Sequence, residues 1–181
     1  MQHRQDTETA AVLLERAQED ARAIRLLLTD AEAMSNIICY HCQQCAEKQL
    51  KAALLAHGEK CEKTHNIDLL LRAAAALPVS HPPLTDDLVI AAGKLTMMEA
   101  ASRYSGLGAS DRPISSEAVA MVNKIAHWME ESGLTSVRVD SRYVRLSAST
   151  VKAPEIHQEG EMVQEPILPE KPEDIEDEYS L

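Results

Sequence analysis

Thiol and imidazole side chains are concentrated between residues 39 and 45, in the order Cys-Tyr-His-Cys-Gln-Gln-Cys. Both are ligand types that zinc and copper accept. The spacing does not favour a metal site, because cysteines three residues apart span only about 120° of a helix surface. No second CxxC or HxxxH pair completes a tetrahedral site. We therefore expect Cys39, Cys42 and Cys45 to be small apolar residues of a core, and we expect no metal and no cofactor.

His41 and Cys45 are four residues apart and could touch on one helix face, as in a nucleophile and its base. The sequence offers no third group to orient the imidazole. Positions in the middle of a helix also lack the N-terminal dipole that lowers a thiol pKa. Core packing is again the favoured interpretation.

Lys48 and Lys51 follow in the same segment and project a basic edge from a largely apolar helix. Glu47 can form an ion pair with Lys51, four residues on. A solvated helix face is the simplest interpretation of Lys48 alone. Combined with Arg103, at the end of a later helix, the lysines predict a basic pocket for phosphate. The alternative for Arg103 is a plain ion pair with Glu99, one turn before it.

The elements that must position these residues are helices. Aromatic residues are only 3% of the chain and Phe is absent, whereas Ala, Leu and Glu are plentiful, which disfavours sheets. Apolar residues recur at spacings of three and four between capping residues and Gly or Pro stops. The pattern predicts an all-α, antiparallel up-and-down bundle with its second helix at the centre. The five predicted helices run from about Thr7 to Thr29, Ser35 to His57, Thr64 to just before Pro78, Thr85 to Tyr104, and Ser115 or Ser116 to Gly133.

Beyond the bundle, predicted to occupy residues 1–134, the composition changes twice. Residues 135–150 mix Val, Tyr and Leu with three arginines, which predicts a basic, β-prone arm or strand. Residues 151–181 hold four prolines and ten acidic residues against two lysines, which predicts a disordered acidic tail. The tail carries most of the net charge of -11, so the bundle itself is close to neutral.

The charge balance argues against a protein that coats DNA or an anionic membrane by bulk electrostatics. No apolar run is long enough to span a bilayer, and the first six residues are polar with no apolar stretch after them. We therefore expect a cytoplasmic protein with no membrane contact. In that compartment the four cysteines, including Cys61, are expected to be thiols.

The second predicted helix resembles a signature of HEPN-domain proteins. From His41 to Leu55 it reads HCQQCAEKQLKAALL, close to the Gln-Gln-Ala-x-Glu-Lys-x-Leu-Lys-Ala pattern of that family. Two further landmarks follow in order: Thr64-His65 opens the third helix, and Ser102-Arg103-Tyr104 closes the fourth. The resemblance covers about residues 7–132. It implies a helical domain, and His65 beside the predicted cap is interpreted as a structural hydrogen-bonding group.

HEPN proteins include metal-independent ribonucleases, nucleotide-binding modules and partners of minimal nucleotidyltransferases in toxin-antitoxin pairs. The ribonuclease motif is an Arg followed after four to six residues by His. Arg103 is present with Glu99 one turn before it, but Gly108, Ala109 and Ser110 stand where the His belongs. Without that His no general base for the ribose 2′-hydroxyl is evident, unless His57, His81 or His127 approaches in space. Binding is therefore favoured over hydrolysis.

Three functional hypotheses follow from this sequence. The first is a homodimeric HEPN module that binds a nucleotide, an RNA end or a nucleotidyltransferase partner protein through Lys48, Lys51, Arg103 and Tyr104. The second is an endoribonuclease that uses Arg103, with Glu99 and a His from elsewhere. The third is an interaction protein that works through its acidic tail. A homodimer is expected because helix four carries a series of small residues that suit close helix contact: Ala91, Ala92, Gly93, Ala100 and Ala101.

Overall fold

The computed structural model describes residues 2–31, 34–61, 63–103 and 115–139, with side chains for residues 6–31, 34–61, 63–98 and 115–139. These residues form five α-helices and no strand, which confirms the all-α bundle. None of these helices is long and apolar enough to cross a membrane. The helices are α1 (Gln2–Leu27, followed by a 3-10 turn at Leu28–Asp30), α2 (Ser35–Ala56), α3 (Ile67–Ala75), α4 (Asp86–Arg103) and α5 (Ser115–Glu131).

The α2 helix is the centre of the bundle, as predicted. It packs against each of the other four helices. Because it has neighbours on nearly all sides, it buries residues around most of its circumference rather than along one stripe. Leu50 and Ala46 are fully buried on α2, and they belong to one core shared with Ile24, Ile125 and the other helices.

Two of the predicted helix stops have the geometry that requires glycine. The α2 helix ends before Gly58 and α5 ends before Gly133, and both glycines have positive φ, +78° and +68°. At α5 the N–H of Leu134 donates to the carbonyl of Met129, and the N–H of Gly133 donates to that of Glu130. This pair of bonds is a Schellman motif, which closes the last turn only if its glycine adopts a left-handed conformation.

Replacing Gly133 by Ala is therefore expected to lower the free energy of unfolding by about 1 kcal/mol, since a Cβ disfavours that conformation. A Cβ at Gly133 would meet no atom within 4 Å, so the cost is conformational and not steric. Gly93 is the matched control: it lies inside α4 with equally open space around it, and Gly93→Ala should raise the stability by about 0.5–1 kcal/mol. Chemical denaturation measures both, and effects of the same sign would contradict this account of α5.

The start of α1 and the caps expected for α2, at Ser35, and for α3, at Thr64, differ in the structure. The α1 helix begins at Gln2 rather than near Thr7. Ser35 is the first residue of α2 and not its cap, since Met34 holds that position without a side-chain hydrogen bond. The α3 cap is Asn66, whose side chain accepts from the N–H of Leu69, whereas Thr64 accepts from the N–H of Asn66 just outside the helix. The side chain of Asn66, and not that of Thr64, therefore caps α3.

Residues 134–139 belong to the segment where the β-prone arm is predicted to start. They form neither helix nor strand and pack on the bundle, with Val137 and Val139 buried. The side-chain amide of Asn123 accepts from the N–H of Val139 at 2.8 Å and donates to its carbonyl at 2.9 Å. The side-chain oxygen of Gln49 accepts from the N–H of Val137 at 2.9 Å. The side chains of Asn123 and Gln49 thus make hydrogen bonds to the backbone that a neighbouring strand would otherwise provide. The remainder of the predicted arm and the acidic tail, residues 140–181, lie outside the described residues.

Candidate functional site

One face of α2 stays partly open between α1 and the loop before α3. Its residues recur at spacings of four and three, so they lie in a row along the helix. Polar groups flank this row on both sides, from α1 and from the loop. We call this arrangement the α2 seam; it consists of His41, Gln44, Lys48 and Lys51 along the row, with Asp20, Gln43, Glu47 and His65 beside it.

Asp20 connects α1 to the upper half of the seam. Its carboxylate is 7% exposed and accepts from Lys48 Nζ at 2.5 Å and from His41 Nδ1 at 2.9 Å. A buried carboxylate of this kind is stable only with hydrogen-bonded partners, and here it has two. The Lys48 ammonium is thereby held at one place between the two helices.

Glu47 holds the ammonium group of the second seam lysine, Lys51, in the same way. It is 6% exposed and accepts from Lys51 Nζ at 2.8 Å, from Gln43 Nε2 at 2.8 Å and from His65 Nδ1 at 3.1 Å. Burial alone would raise the pKa of Glu47, but the bonds from Lys51, Gln43 and His65 outweigh it and lower that pKa. The carboxylate is therefore charged at neutral pH, and the predicted Glu47–Lys51 pair is confirmed.

The two histidines of the seam are oriented alike. A carboxylate only accepts hydrogen bonds, so Nδ1 carries the proton in both His41 and His65. In each ring Nε2 is then the atom that takes up a further proton. The His65 side chain is 69% exposed and that of His41 is 26% exposed, so solvent reaches both rings. The contact of His65 with Glu47 confirms its predicted role as a hydrogen-bonding group.

The structure brings together only part of the predicted site. Lys48 and Lys51 lie one turn apart on the seam. Arg103 is the last residue of α4, but its side chain and that of Glu99 lie outside the described residues. Tyr104 lies outside them as well, as do the three positions after Arg103 where the ribonuclease His would stand. The predicted convergence of Arg103 on the lysines therefore stays a prediction.

The cysteines lie where the core interpretation places them. Cys39, Cys42 and Cys45 are fully buried among apolar residues. Burial raises the pKa of Cys39 to about 11 and that of Cys45 to about 12, and it raises the pKa of Cys42 well above its usual value. Such thiols are poor nucleophiles and poor metal ligands at neutral pH. Among the residues with described side chains, no three His, Cys, Asp or Glu residues are grouped to hold a metal ion.

The other histidines make their described contacts elsewhere. His57 bonds the carbonyl of Ala53 at the end of α2, and the ring of His81 lies against that of Trp128, with 5.7 Å between centroids and 52° between the ring planes. His127 accepts from Arg138 on the outside of α5. These contacts do not bring any of the three to the seam.

A second basic feature lies at the C-terminal end of α1. Arg22, Arg25, Leu26 and Thr29 line a groove of about 360 Å³. Among the described residues, no hydrogen bond or ion pair holds either guanidinium in place, unlike the ammonium groups of the seam. A site that binds an anion tightly needs its cations fixed in advance, so we take the seam and not this groove as the candidate site.

The residues that sequence reasoning missed are Asp20 and the role of His41. One signal of Asp20 was available, because it interrupts the apolar stripe formed by Ala17, Ala21 and Ile24 on α1. A carboxylate placed on the buried face of an amphipathic helix needs a partner across the interface. Which partner it meets depends on how α1 packs on α2, which spacing within either helix does not specify.

A comparison with protein-family models matched the HEPN domain over residues 10–132. Neither the comparison with curated proteins nor the comparison with solved structures returned a match. The matched residues include α2, α3, α4 and α5 in full and most of α1, together with the whole α2 seam. They also include the region of Arg103, and the match supports a role related to nucleotides or RNA in general terms. The chain belongs to the HEPN domain family.

Proposed function

We propose that this protein binds the phosphate of a nucleotide or of an RNA end in the α2 seam, through Lys48 and Lys51. The observation that carries the proposal is the placement of two lysines one turn apart on a partly exposed face of α2, with the ammonium group of each held by a buried carboxylate. Cations fixed in advance lose little side-chain entropy on binding, which strengthens the contact. Family membership supports the same class of ligand.

The ammonium groups retain donors for a ligand. A lysine ammonium has three N–H donors. The described contacts use one donor of Lys48, to Asp20, and one of Lys51, to Glu47. The side chains of Lys48 and Lys51 remain 24% and 15% exposed, so solvent reaches part of each. A phosphate offers oxygen acceptors that suit such donors, and charge-assisted bonds of this type are the strong ones.

Lys51→Met is expected to weaken the binding of a 5′-monophosphate by about ten- to a hundredfold, which corresponds to about 1.5–3 kcal/mol for a lost charge-assisted contact. Met keeps the length and apolar stem of Lys but has no charge. Isothermal titration calorimetry with AMP measures the change. Added salt should weaken wild-type binding more than binding by the variant, because the variant releases fewer counterions.

The matched control is Lys124→Met. Lys124 lies on α5, is more exposed than Lys51 and pairs with Asp87 on the surface, away from the seam. Circular dichroism establishes that each variant is folded at the temperature of the titration. Equal loss of affinity in both variants would indicate a general effect of charge and contradict the assignment of the site, as would unchanged affinity in Lys51→Met.

Arg103 and Tyr104 are proposed to contribute further ligand contacts from the end of α4. The support is their place in the family signature and the basic character of Arg103, which suits bidentate binding of phosphate. Glu99 would have a part only in a ribonuclease, where it would orient Arg103.

A nucleotidyltransferase is the proposed protein partner, in a toxin-antitoxin or defence pair, and the proposed assembly is a homodimer. Resemblance to HEPN proteins of such pairs supports the first point. The homodimer is supported by Ile90 and Met97, two apolar side chains that are exposed on the outer face of α4. Ala91 and Ala92 do not contribute to that face, because they pack inside the chain's own core. An adjacent gene for a small nucleotidyltransferase would favour the first, and a dimer mass in light scattering the second.

A further inference from the structure

The charges of the α2 seam cancel when its histidines are neutral. Asp20 and Glu47 contribute two negative charges, and Lys48 and Lys51 contribute two positive ones. A phosphate that approaches the lysines also approaches both carboxylates, since each is in contact with a lysine. Repulsion between like charges at such distances offsets much of the attraction. The seam as a neutral array is therefore a weak anion site.

Protonation of His41 and His65 changes this balance. Each ring already donates Nδ1–H to a carboxylate, so the added proton goes to Nε2. The seam then carries two net positive charges and gains two N–H donors that do not point at its carboxylates. A phosphate bound beside them stabilises the protonated form of each imidazole, so proton uptake and anion binding favour each other.

Several charged groups on the surrounding helices are paired with one another. On α1, Arg16 pairs with Glu19, and on α3, Arg72 pairs with Asp68. Lys94 on α4 pairs with Glu117 on α5. Beside His41 the other ring is Tyr40, edge-on at 5.4 Å between centroids. Lys63 lies two residues before His65 on the same loop, with an exposed side chain. Of the side-chain types in the seam, imidazole is the one that generally binds and releases protons near neutral pH.

We infer that the α2 seam binds phosphate together with protons taken up at His41 and His65, and that it thereby selects a terminal phosphate monoester over a phosphodiester. The inference rests on the proposed function and deepens it. A monoester carries close to two negative charges at neutral pH, whereas an internal phosphodiester carries one. The two positive charges of the protonated imidazoles match the two negative charges of a monoester and exceed the single negative charge of a diester. The ligand class is therefore a nucleoside monophosphate or the phosphorylated end of an RNA.

Calorimetric titration of the full chain at pH 7, repeated in buffers with different enthalpies of ionisation, tests this inference. The probes are AMP, inorganic sulfate and a dinucleoside phosphodiester without terminal phosphate. Sulfate is a dianion that does not take up protons near neutral pH. Any uptake or release of protons when sulfate binds is therefore due to groups of the protein. We expect a net uptake of protons, at most about two, for each sulfate or AMP bound. Sulfate should bind more tightly at pH 6 than at pH 8, and the diester should bind at least about tenfold more weakly than AMP.

Variants assign the protons. His65→Gln and His41→Gln keep an N–H donor for the carboxylate but cannot take up a proton. Each should lower the number of protons taken up with sulfate, and the double variant should bind sulfate without a dependence on buffer. His127→Gln is the control, since His127 lies on the outer face of α5 beside Glu131. Its proton uptake should equal that of the wild type.

The outcomes separate the two proposals. If wild-type protein binds AMP and sulfate with no proton uptake, or binds the diester equally well, the inference is wrong while the proposed function stands. Unchanged proton uptake in the double variant would also contradict it. If none of the probes binds at any pH between 6 and 8, the proposed function is wrong, and this inference is wrong with it.

Discussion

Replacing Glu47 by Ala is expected to lower the free energy of unfolding by about 2–4 kcal/mol at pH 7, because it removes the shared acceptor of a largely buried group of donors. Gln43 is fully buried and would lose one of its two acceptors, keeping only the carbonyl of His65. Lys51 would keep its charge at a site with only 15% of its side chain exposed. Denaturation by urea, followed by circular dichroism, measures the loss.

Glu47→Gln separates the charge from the hydrogen bonds. The folded-state pKa of Glu47 lies below its usual value, so ionisation of the carboxylate stabilises the folded protein at pH values above the unfolded pKa. That contribution disappears as the pH falls through the folded-state pKa, below about 4.3. The wild type should therefore lose more stability than Glu47→Gln between pH 6 and pH 3. Glu15→Ala, at an exposed position of α1, is the control for Glu47→Ala, and equal effects of those two variants would contradict the role given to Glu47.

Leu50→Ala is expected to cost about 3–5 kcal/mol, the upper part of the range for a buried leucine. Leu50 is fully buried on the helix that packs against all four others. A cavity walled by several helices collapses little, so the loss of packing is added to the loss of apolar transfer. Urea denaturation is again the measurement.

Leu55→Ala provides the comparison within α2. Leu55 lies five residues after Leu50 and is only partly buried, so truncation leaves an opening that water fills. Its cost should be about 1 kcal/mol. If the two variants lost similar stability, α2 would be a peripheral helix and the architecture described above would be wrong.

The helices could be predicted because their signals are local. Gly58 and Gly133 end helices through a backbone conformation that other residues resist, and both positions were identifiable from the apolar spacing before them. The start of α3 was misplaced because Thr64 and Asn66 are both capping residues. In the structure the N–H of Ile67 donates to the side-chain hydroxyl of Thr96 on α4, a tertiary contact at the first residue of α3, and Asn66 is the cap.

The candidate site, like the helices, could be predicted from the sequence only where its contacts are local. The pair of Glu47 and Lys51 follows from a spacing of four on one helix. The bonds of Asp20 to His41 and Lys48 join residues 21 and 28 positions apart, on two helices whose mutual rotation the sequence pattern does not define. The lysines and Glu47 could therefore be found as candidates, while the contacts of Asp20 with Lys48 and His41 became visible only in the folded chain.

The most direct test of the central claim is to locate the bound phosphate. Titration of AMP into isotope-labelled protein, followed by ¹H–¹⁵N correlation spectra, reports which backbone amides sense the ligand. Binding in the α2 seam predicts saturable shifts at Gln44, Lys48, Lys51 and His65, with little change at Lys124 on α5. Shifts confined to Arg22, Arg25 and Thr29 around the α1 groove, or no saturable shift at all, would contradict the assignment of the seam as the phosphate site.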